Sequence, residues 1–448
     1  MSASTADLSS SIPLAPGSLP VLGHAVAMLR NPTQFLSRLP ECGDLVEIRL
    51  GPAKAIVVCT PQLTHQVLHD DRTFAKGGPF FERVREAVGD GVASCAYDKH
   101  RRQRRLLQPA FHHTRIPGYA HRMEAAIVEV TGSWRNGSVI DVLGDMSTIA
   151  ANSVAAALFS EGLSRSALRQ VSSDVQTVMA GFYRRMFMPS LLRDLPIRSN
   201  RRYEIARARL RRALAEIIAD RRAADRSYDD LLSAMVAARD HHEALSDTEI
   251  IDNITTFFIA GIATAASAMA WAVSHVANHP GIEQQLHEEI DTVLAGRAAT
   301  HDDLPRLDLT RRILLETLRD TPPAWILTRA ATVDTELNGY TITAGTTIVY
   351  SPYLIHHRAD LYPNPDRFDP ERWLPSSNAP GPMHDPFVPF ASGPRKCIGD
   401  NFVMTEATLA LATIAARWRL QTLPGDKVGT TVSTELRPRK LRLRTVAR

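Results

Sequence analysis

The chain has 448 residues, 52 basic against 48 acidic for a net charge of +4, with 44% apolar and only 6% aromatic residues. That balance fills a large aliphatic core and excludes a nucleic-acid binder, which needs a basic stripe with interleaved aromatics. Cys42, Cys59, Cys95 and Cys397 show no paired spacing, which excludes a disulfide framework and a CxxC metal site.

The first twenty residues are polar and Pro-rich, with no apolar signal core and no run of about 20 apolar residues. No linker, repeat or charge block divides the remainder of the chain. We therefore expect a flexible N-terminus over 1–20 and a single domain over 21–448, mainly α with a smaller β-rich lobe. In chain order, a short helix is expected over 32–40. A hairpin comes next, with strands over 45–50 and 55–59 joined by Gly51-Pro52, and then a helix over 61–70. Residues 73–97 hold Gly77-Gly78-Pro79 and Gly89-Asp90-Gly91 and read as a long irregular segment, a kind of loop that tends to be functional. His100 opens a helix in which His100 and Arg104, four apart, share a face. From 119 to 237 the pattern is helix after helix at a period near 3.6, including a Val/Met/Phe-rich one over 171–188 and an Arg/Ala-patterned one over 203–225.

The longest expected helix, over 247–278, would span about 48 Å and so cross the whole molecule. Gly261 in its middle eases a kink. Thr264, one turn on, can bond the carbonyl of residue 260 or point its hydroxyl into the widened groove. A further helix over 312–320 carries Glu316 and Arg319, three apart and able to pair. An extended segment through Ala324, Trp325, Leu327 and Arg329 then enters strands over 333–337, 340–342 and 347–350. Near the end, Phe390, Gly393, Arg395, Cys397 and Gly399 stand within ten residues, ahead of an apolar helix over 402–418. The unpaired N–H groups at that helix start favour the thiolate of Cys397. A sulfur so held is either a nucleophile or a metal ligand.

The spacing around Cys397 resembles the cysteine-ligand loop of the cytochrome P-450 family, and the resemblance extends over nearly the full chain. It implies heme b with Cys397 as its axial ligand and Phe390 and Gly399 shaping the loop. His100, Arg104, Arg329 and Arg395 are implied as donors to the heme propionates. Glu316, Arg319 and Arg372 (in Phe368-Asp369-Pro370-Glu371-Arg372-Trp373) match a buried triad that fixes the loop. Over the distal heme face the family's central helix carries Ala-Gly-x-acid-Thr, the Thr and its acid relaying protons for oxygen activation. Here Gly261 and Thr264 remain, but Ala263 stands where the acid is expected, so the protons must come by another route. Asp320 is a second departure, at a position usually apolar.

The same resemblance implies dioxygen as co-substrate and electrons from NAD(P)H through a ferredoxin and its reductase, since no GxGxxG fingerprint is present. Arg101, Arg105 and Lys396 are candidate docking residues for that partner. A monomer in the bacterial cytoplasm without a membrane anchor is expected. Phe80, Phe81, Val84, Val88, Phe182, Phe257, Phe258, Ala260, Ala263, Ala324, Trp325 and Leu327 would line an almost uncharged cavity. At about 0.8 kcal/mol per methylene, a hydrocarbon of about fifteen carbons gains on the order of 10 kcal/mol there before entropy. The stretches 43–52, 77–79, 100–111 and 183–186 are similar to bacterial terpene-hydroxylating members, so a terpene or terpene alcohol is the expected substrate. A fatty acid or other lipophile is the alternative, as is a heme-thiolate rearrangement or dehydration without dioxygen. A thiol enzyme built on Cys397 would leave the Glu316 and His100 sets unexplained. A terpene cyclase lacks its Asp-Asp-x-x-Asp motif.

Overall fold

The computed structural model describes residues 11–160, 165–186, 188, 195–223, 228–240, 243–375, 386–426, 428–432 and 435–448. Residues 1–10 of the expected flexible N-terminus lie outside these. Residues 11–20 are not loose: Ala15 N–H donates to Glu47 O at 2.9 Å and Glu47 N–H to Pro13 O at 2.8 Å, laying the segment along the first strand.

The smaller lobe begins with α1 (Ala25–Arg30) and α2 (Pro32–Ser37), the second capped by the Asn31 side chain. The expected hairpin forms from β1 (Leu45–Leu50) and β2 (Ala53–Val58), with Leu45 opposite Val58 and a turn at Gly51, φ +61°. Then come α3 (Pro61–His69), β3 (Phe74–Ala75), α4 (Gly78–Val88) and α5 (Tyr97–Leu107). The segment over 73–97 is thus a strand and a helix rather than an irregular loop. Pro79 sits in the first turn of α4, where its missing N–H costs nothing. Gly89, at φ +79°, stops the helix. Phe80, Phe81, Val84 and Val88 carry the helical period between those breakers, which read as loop only while taken as punctuation.

The larger lobe is built on α6 (Ile116–Gly132), β4 (Val139–Asp141), α7 (Val142–Leu158), α8 (Arg165–Met186), α9 (Arg198–Ala223) and α10 (Leu231–Ala237). A two-strand turn, β5 (Arg239–Asp240) with β6 (Glu243–Ala244), leads into α11 (Asp247–Asn278), 32 residues long as expected. A capping box starts α11: Glu249 N–H donates to Ser246 Oγ and Ser246 N–H to the Glu249 carboxylate. Among the described residues α11 alone is long and apolar enough to cross a membrane, and 72% of its apolar window is buried inside the protein. It is the core helix, with α7 its most extensive partner.

After α12 (Pro280–Leu294) and α13 (Asp308–Asp320) the chain returns to the smaller lobe through β7 (Leu327–Ala331), β8 (Thr335–Leu337), β9 (Tyr340–Ile342) and β10 (Thr347–Tyr350). The main sheet runs β1-β2-β10-β7-β3, antiparallel except where β10 lies parallel to β2. Next are α14 (Pro352–His356), α15 (Asp400–Arg417), β11 (Trp418–Thr422), β12 (Gly429–Val432), β13 (Leu436–Arg439) and β14 (Arg442–Ala447), with β11-β14-β4 forming a second sheet.

Glu316 and Arg319 of α13 are both completely buried. Arg319 grips Glu316 with two bonds, of 2.9 and 3.0 Å. Arg372 approaches the same carboxylate at 3.5 Å, while the Trp373 indole and the Asp369 N–H each donate to it at 3.0 Å. Arg319 also donates to His356 O at 3.1 Å, and His356 Nε2 accepts from Val388 N–H at 3.0 Å, two residues before Phe390. Asp320, unexplained by sequence, lies 3.3 Å from His275 of α11 and 3.6 Å from His357. Burial opposes its charge, yet these two imidazoles hold the Asp320 carboxyl well below the usual range.

A charge with so complete a shell is expensive to orphan. Glu316→Gln is expected to lower unfolding stability by about 3–5 kcal/mol in urea melts, since Arg319 and Arg372 lose the carboxylate they share and Arg319 keeps only Asp320, at 3.7 Å. Glu406 of α15 is the converse case. It is 1% exposed with no cation beside it among the described residues, and burial, offset in part by Ser153, pushes its carboxyl up to about 7. Folded Glu406 keeps its proton while the unfolded chain loses it above about 4.3, so stability declines as pH rises from there towards 7. Glu406→Gln is expected to flatten that decline, worth about 3 kcal/mol at 1.36 kcal/mol per unit, in melts at two pH values.

Candidate active site

The Cys397 loop is shaped by its backbone. Cys397 N–H donates to Phe390 O at 2.9 Å and Lys396 N–H to Gly393 O at 3.0 Å. Gly393 has φ +68°, and a Cβ there would lie 2.5 Å from Leu68 O, so only glycine lets the turn seat against the end of α3. Gly399 is the N-cap of α15, and its N–H bonds the Cys397 sulfur. Cys397 is solvent-accessible, yet burial dominates its thiol and pushes it up, against the sequence expectation of an easily formed thiolate. The Gly399 N–H, Arg104 and Lys76 pull the other way. Accessible and yet desolvated, this sulfur opens into an interior recess.

Around the recess the fold gathers cations. Arg395 is fully buried, 3.2 Å from Asp71 and bonded to Cys95 O at 2.9 Å, with its second terminal nitrogen, Nη2, lacking any partner. Arg329 of β7 is 1% exposed and lies over the Tyr350 ring at 5.1 Å, with Nε and Nη2 unpartnered. His100 is 2% exposed, its Nδ1 unbonded and 3.9 Å from Asp71. Burial, then Arg395, Lys76, Arg104 and Arg329, drive the imidazole down to about 3, so it stays neutral. Arg104 shares the α5 face with His100, and its guanidinium is held by Lys396 O and Gln108. Lys76, absent from the sequence expectations, joins them: it donates to Ala93 O at 2.8 Å, and burial with Arg329 and Arg395 lowers its pKa strongly. Its only signal was a lone lysine between Phe74-Ala75 and the glycine pair.

α11 supplies the other wall. Its flanks are buried, but Phe257, Gly261, Ala263 and Thr264 are half-exposed and Ala260 is exposed. Positions 257, 260, 261 and 264 follow the spacing of one helix face. The Thr264 hydroxyl donates to Ala260 O at 2.7 Å. Ala268, one turn beyond Thr264, joins Phe390 in an apolar cluster, which brings this face level with the cysteine loop. An added Cβ at Gly261 would meet Val154 of α7 at 3.4 Å, so α7 packs close beside this position.

The expected apolar lining divides. Phe80 and Val84 are partly buried on α4, which touches α8, α11 and β7 and so bridges the walls. Ala324 and Leu327 are half-exposed at the entry to β7. Phe257 packs edge-on against Phe111 at 5.2 Å, and Phe81 against Phe80 at 5.2 Å. Five residues are corrected, the first being Phe81, 4% exposed on α4. Phe258 is 2% exposed and sits on the opposite face of α11 against Phe159, and Val88 is 3% exposed within the same core. Trp325 is buried in the core of the smaller lobe with Leu36 and Val57. In each case burying the whole side chain against neighbours outweighs facing a recess. Phe182 is likewise buried, and the side chains of Tyr183 and Met186 lie outside the described residues. Of the docking candidates, Arg105 pairs with Glu243 and Lys396 with Asp400, while Arg101 is exposed.

Residues 13–443 match the family model "Cytochrome P450", written here cytochrome P-450. The chain is 44% identical to pentalenene oxygenase of Streptomyces avermitilis over 436 residues, 97% of each chain. It is 44% identical to cyclooctatin synthase of Streptomyces melanosporofaciens, covering 93% of this chain and 91% of that one. It is 41% identical to cyclooctat-9-en-7-ol 5-monooxygenase of the same organism, covering 92% and 90%. The crystal structure of the cytochrome P-450DA heme domain superposes with a TM-score of 0.86 at 26% identity, over 98% of both chains. The chain thus belongs to the cytochrome P-450 family of heme- and dioxygen-dependent monooxygenases, and it is an oxidoreductase.

Proposed function

We propose that this monooxygenase hydroxylates a terpene or terpene alcohol, and that the Cys397 sulfur would hold heme b. The observation that carries the heme placement is the set of buried, unpartnered donors on His100, Arg329 and Arg395 beside a desolvated cysteine. Unpaired buried donors cost about 1–3 kcal/mol each, and with Lys76 they need anions that Asp71 alone does not supply. Two propionates fit that need. Arg329 and Arg395 would hold them by charge-assisted bonds, with His100 as a neutral donor and Arg104 securing the loop at Lys396. Bound there, heme supplies oxygen activation, to which the sulfur contributes electron density.

The protein's own residues do the rest. The open stripe of α11 positions the substrate against Ala260 and Gly261, and Thr264 holds a hydroxyl where protons are consumed. Phe80, Val84, Phe257 and Leu327 exclude water. Arg185, near α4, is neutralised by Glu86 at 2.7 Å and Glu204 at 3.7 Å and so is not available to capture a fatty-acid carboxylate. The names of the relatives from Streptomyces, on pentalenene and cyclooctat-9-en-7-ol, support a cyclic hydrocarbon or its alcohol. Electrons would come singly from NAD(P)H through a ferredoxin and its reductase, to a monomer in the cytoplasm, with Arg101 the least engaged docking cation.

The reduced carbon monoxide complex is expected to show the spectrum of a sulfur-ligated ferrous heme. Cys397→Ser is expected to abolish it, and a wild-type protein without that spectrum would end the heme-thiolate reading. Titrating a panel of cyclic sesquiterpenes, diterpenes and fatty acids should give substrate-type spectral shifts with the terpenes. A stronger shift with the fatty acids would overturn the substrate class. Thr264→Ala is expected to retain heme and substrate binding, while product formed per NAD(P)H falls several-fold and hydrogen peroxide rises.

A further inference from the structure

Ala263 leaves no acid beside Thr264, yet the reaction consumes protons there. Ala260, Thr264, Ser267 and Trp271 are spaced four, three and four apart and form one continuous face of α11. At its far end lies Glu435, in the connection from β12 to β13. Glu435 Oε2 is 3.5 Å from Ser267 Oγ, with Glu435 4% and Ser267 1% exposed. The next residue is clamped on both sides: Trp271 donates its indole N–H to Leu436 O at 3.3 Å, and Leu436 N–H donates to Pro323 O at 3.0 Å. Glu435 is therefore fixed against the helix about one turn, roughly 5 Å of axial rise, beyond Thr264.

We propose that Glu435, acting through Ser267, is the proton source for Thr264 and takes the place of the acid that Ala263 lacks. This rests on the monooxygenase reading above. Glu435 releases the proton of its O–H to Ser267 Oγ, directly or across one water, and the Ser267 hydroxyl proton moves on towards Thr264 Oγ1. The carboxylate left behind regains its proton from solvent, and half-exposed Arg437 lies near enough to favour the transient anion. No redox change occurs in the relay. Burial raises the Glu435 carboxyl above its ordinary value. Glu406, another buried acid whose carboxyl is raised, neighbours Ser153 of α7 and is not on this face.

The test uses the full-length heme-loaded enzyme with its best-turned-over substrate. Glu435→Gln and Ser267→Ala are each expected to lower product per NAD(P)H several-fold and raise hydrogen peroxide, with the substrate spectral Kd unchanged. Glu435→Asp should recover part of the coupling. Independently of turnover, infrared difference spectra of the resting protein should show a protonated carboxyl C=O band that vanishes in Glu435→Gln and shifts in Ser267→Ala. Wild-type coupling in a folded Glu435→Gln protein, or no change in that band in either variant, would overturn the proposal. Because the infrared band is read without substrate, a failed terpene assignment would leave it intact, and the two failures are distinguishable.

Discussion

One buried carboxylate holds this structure together. Glu316 accepts from Arg319, Arg372, the Trp373 indole and the Asp369 backbone, and all of its shell is inside the protein. A charge removed from water in this way is tolerable only when every lone pair is used, so the segments supplying those donors have little freedom. The constraint passes along the chain. Arg319 anchors His356, His356 anchors Val388, and the cysteine loop begins two residues later. The position of Cys397 is in this sense set from α13, a helix that does not reach it.

The recess beside that sulfur carries the opposite imbalance. Arg329, Arg395, Arg104 and Lys76 converge with Asp71 as the near anion, and His100 is kept neutral by burial and then by the field they create. Buried guanidinium nitrogens without partners are uncommon in proteins because each forfeits its hydration. That concentration of donors supports the proposal that heme propionates lie among them, since the family to which the chain belongs uses heme. Across the recess the long helix turns a bare face of small residues, so shape rather than charge governs what lies against it.

The parts legible from sequence were those written within a few residues of one another. The cysteine turn, the Glu316–Arg319 pair and the long helix α11 are local, and each formed where expected. The failures share one cause. Phe257 and Phe258 are adjacent and chemically identical, yet one faces the recess and the other the core. Periodicity assigns faces only once the partner of each face is known. The helix over Gly78–Val88 was hidden by glycines and a proline that serve as its ends. Lys76 had no local signal at all, because a lysine becomes a site residue only when the fold deprives it of water.

By itself the sequence determined a mainly helical architecture, the turn that carries Cys397 and the absence of an acid at residue 263 of the long helix. These come from backbone propensities and fixed short spacings, which need no knowledge of distant contacts. Only the tertiary structure decided which cations surround the recess, which aromatic rings line it, and that Glu435 stands opposite Ser267 from 168 residues away. Burial and charge pairing depend on side chains far apart in the chain being brought together, and no local pattern encodes that meeting.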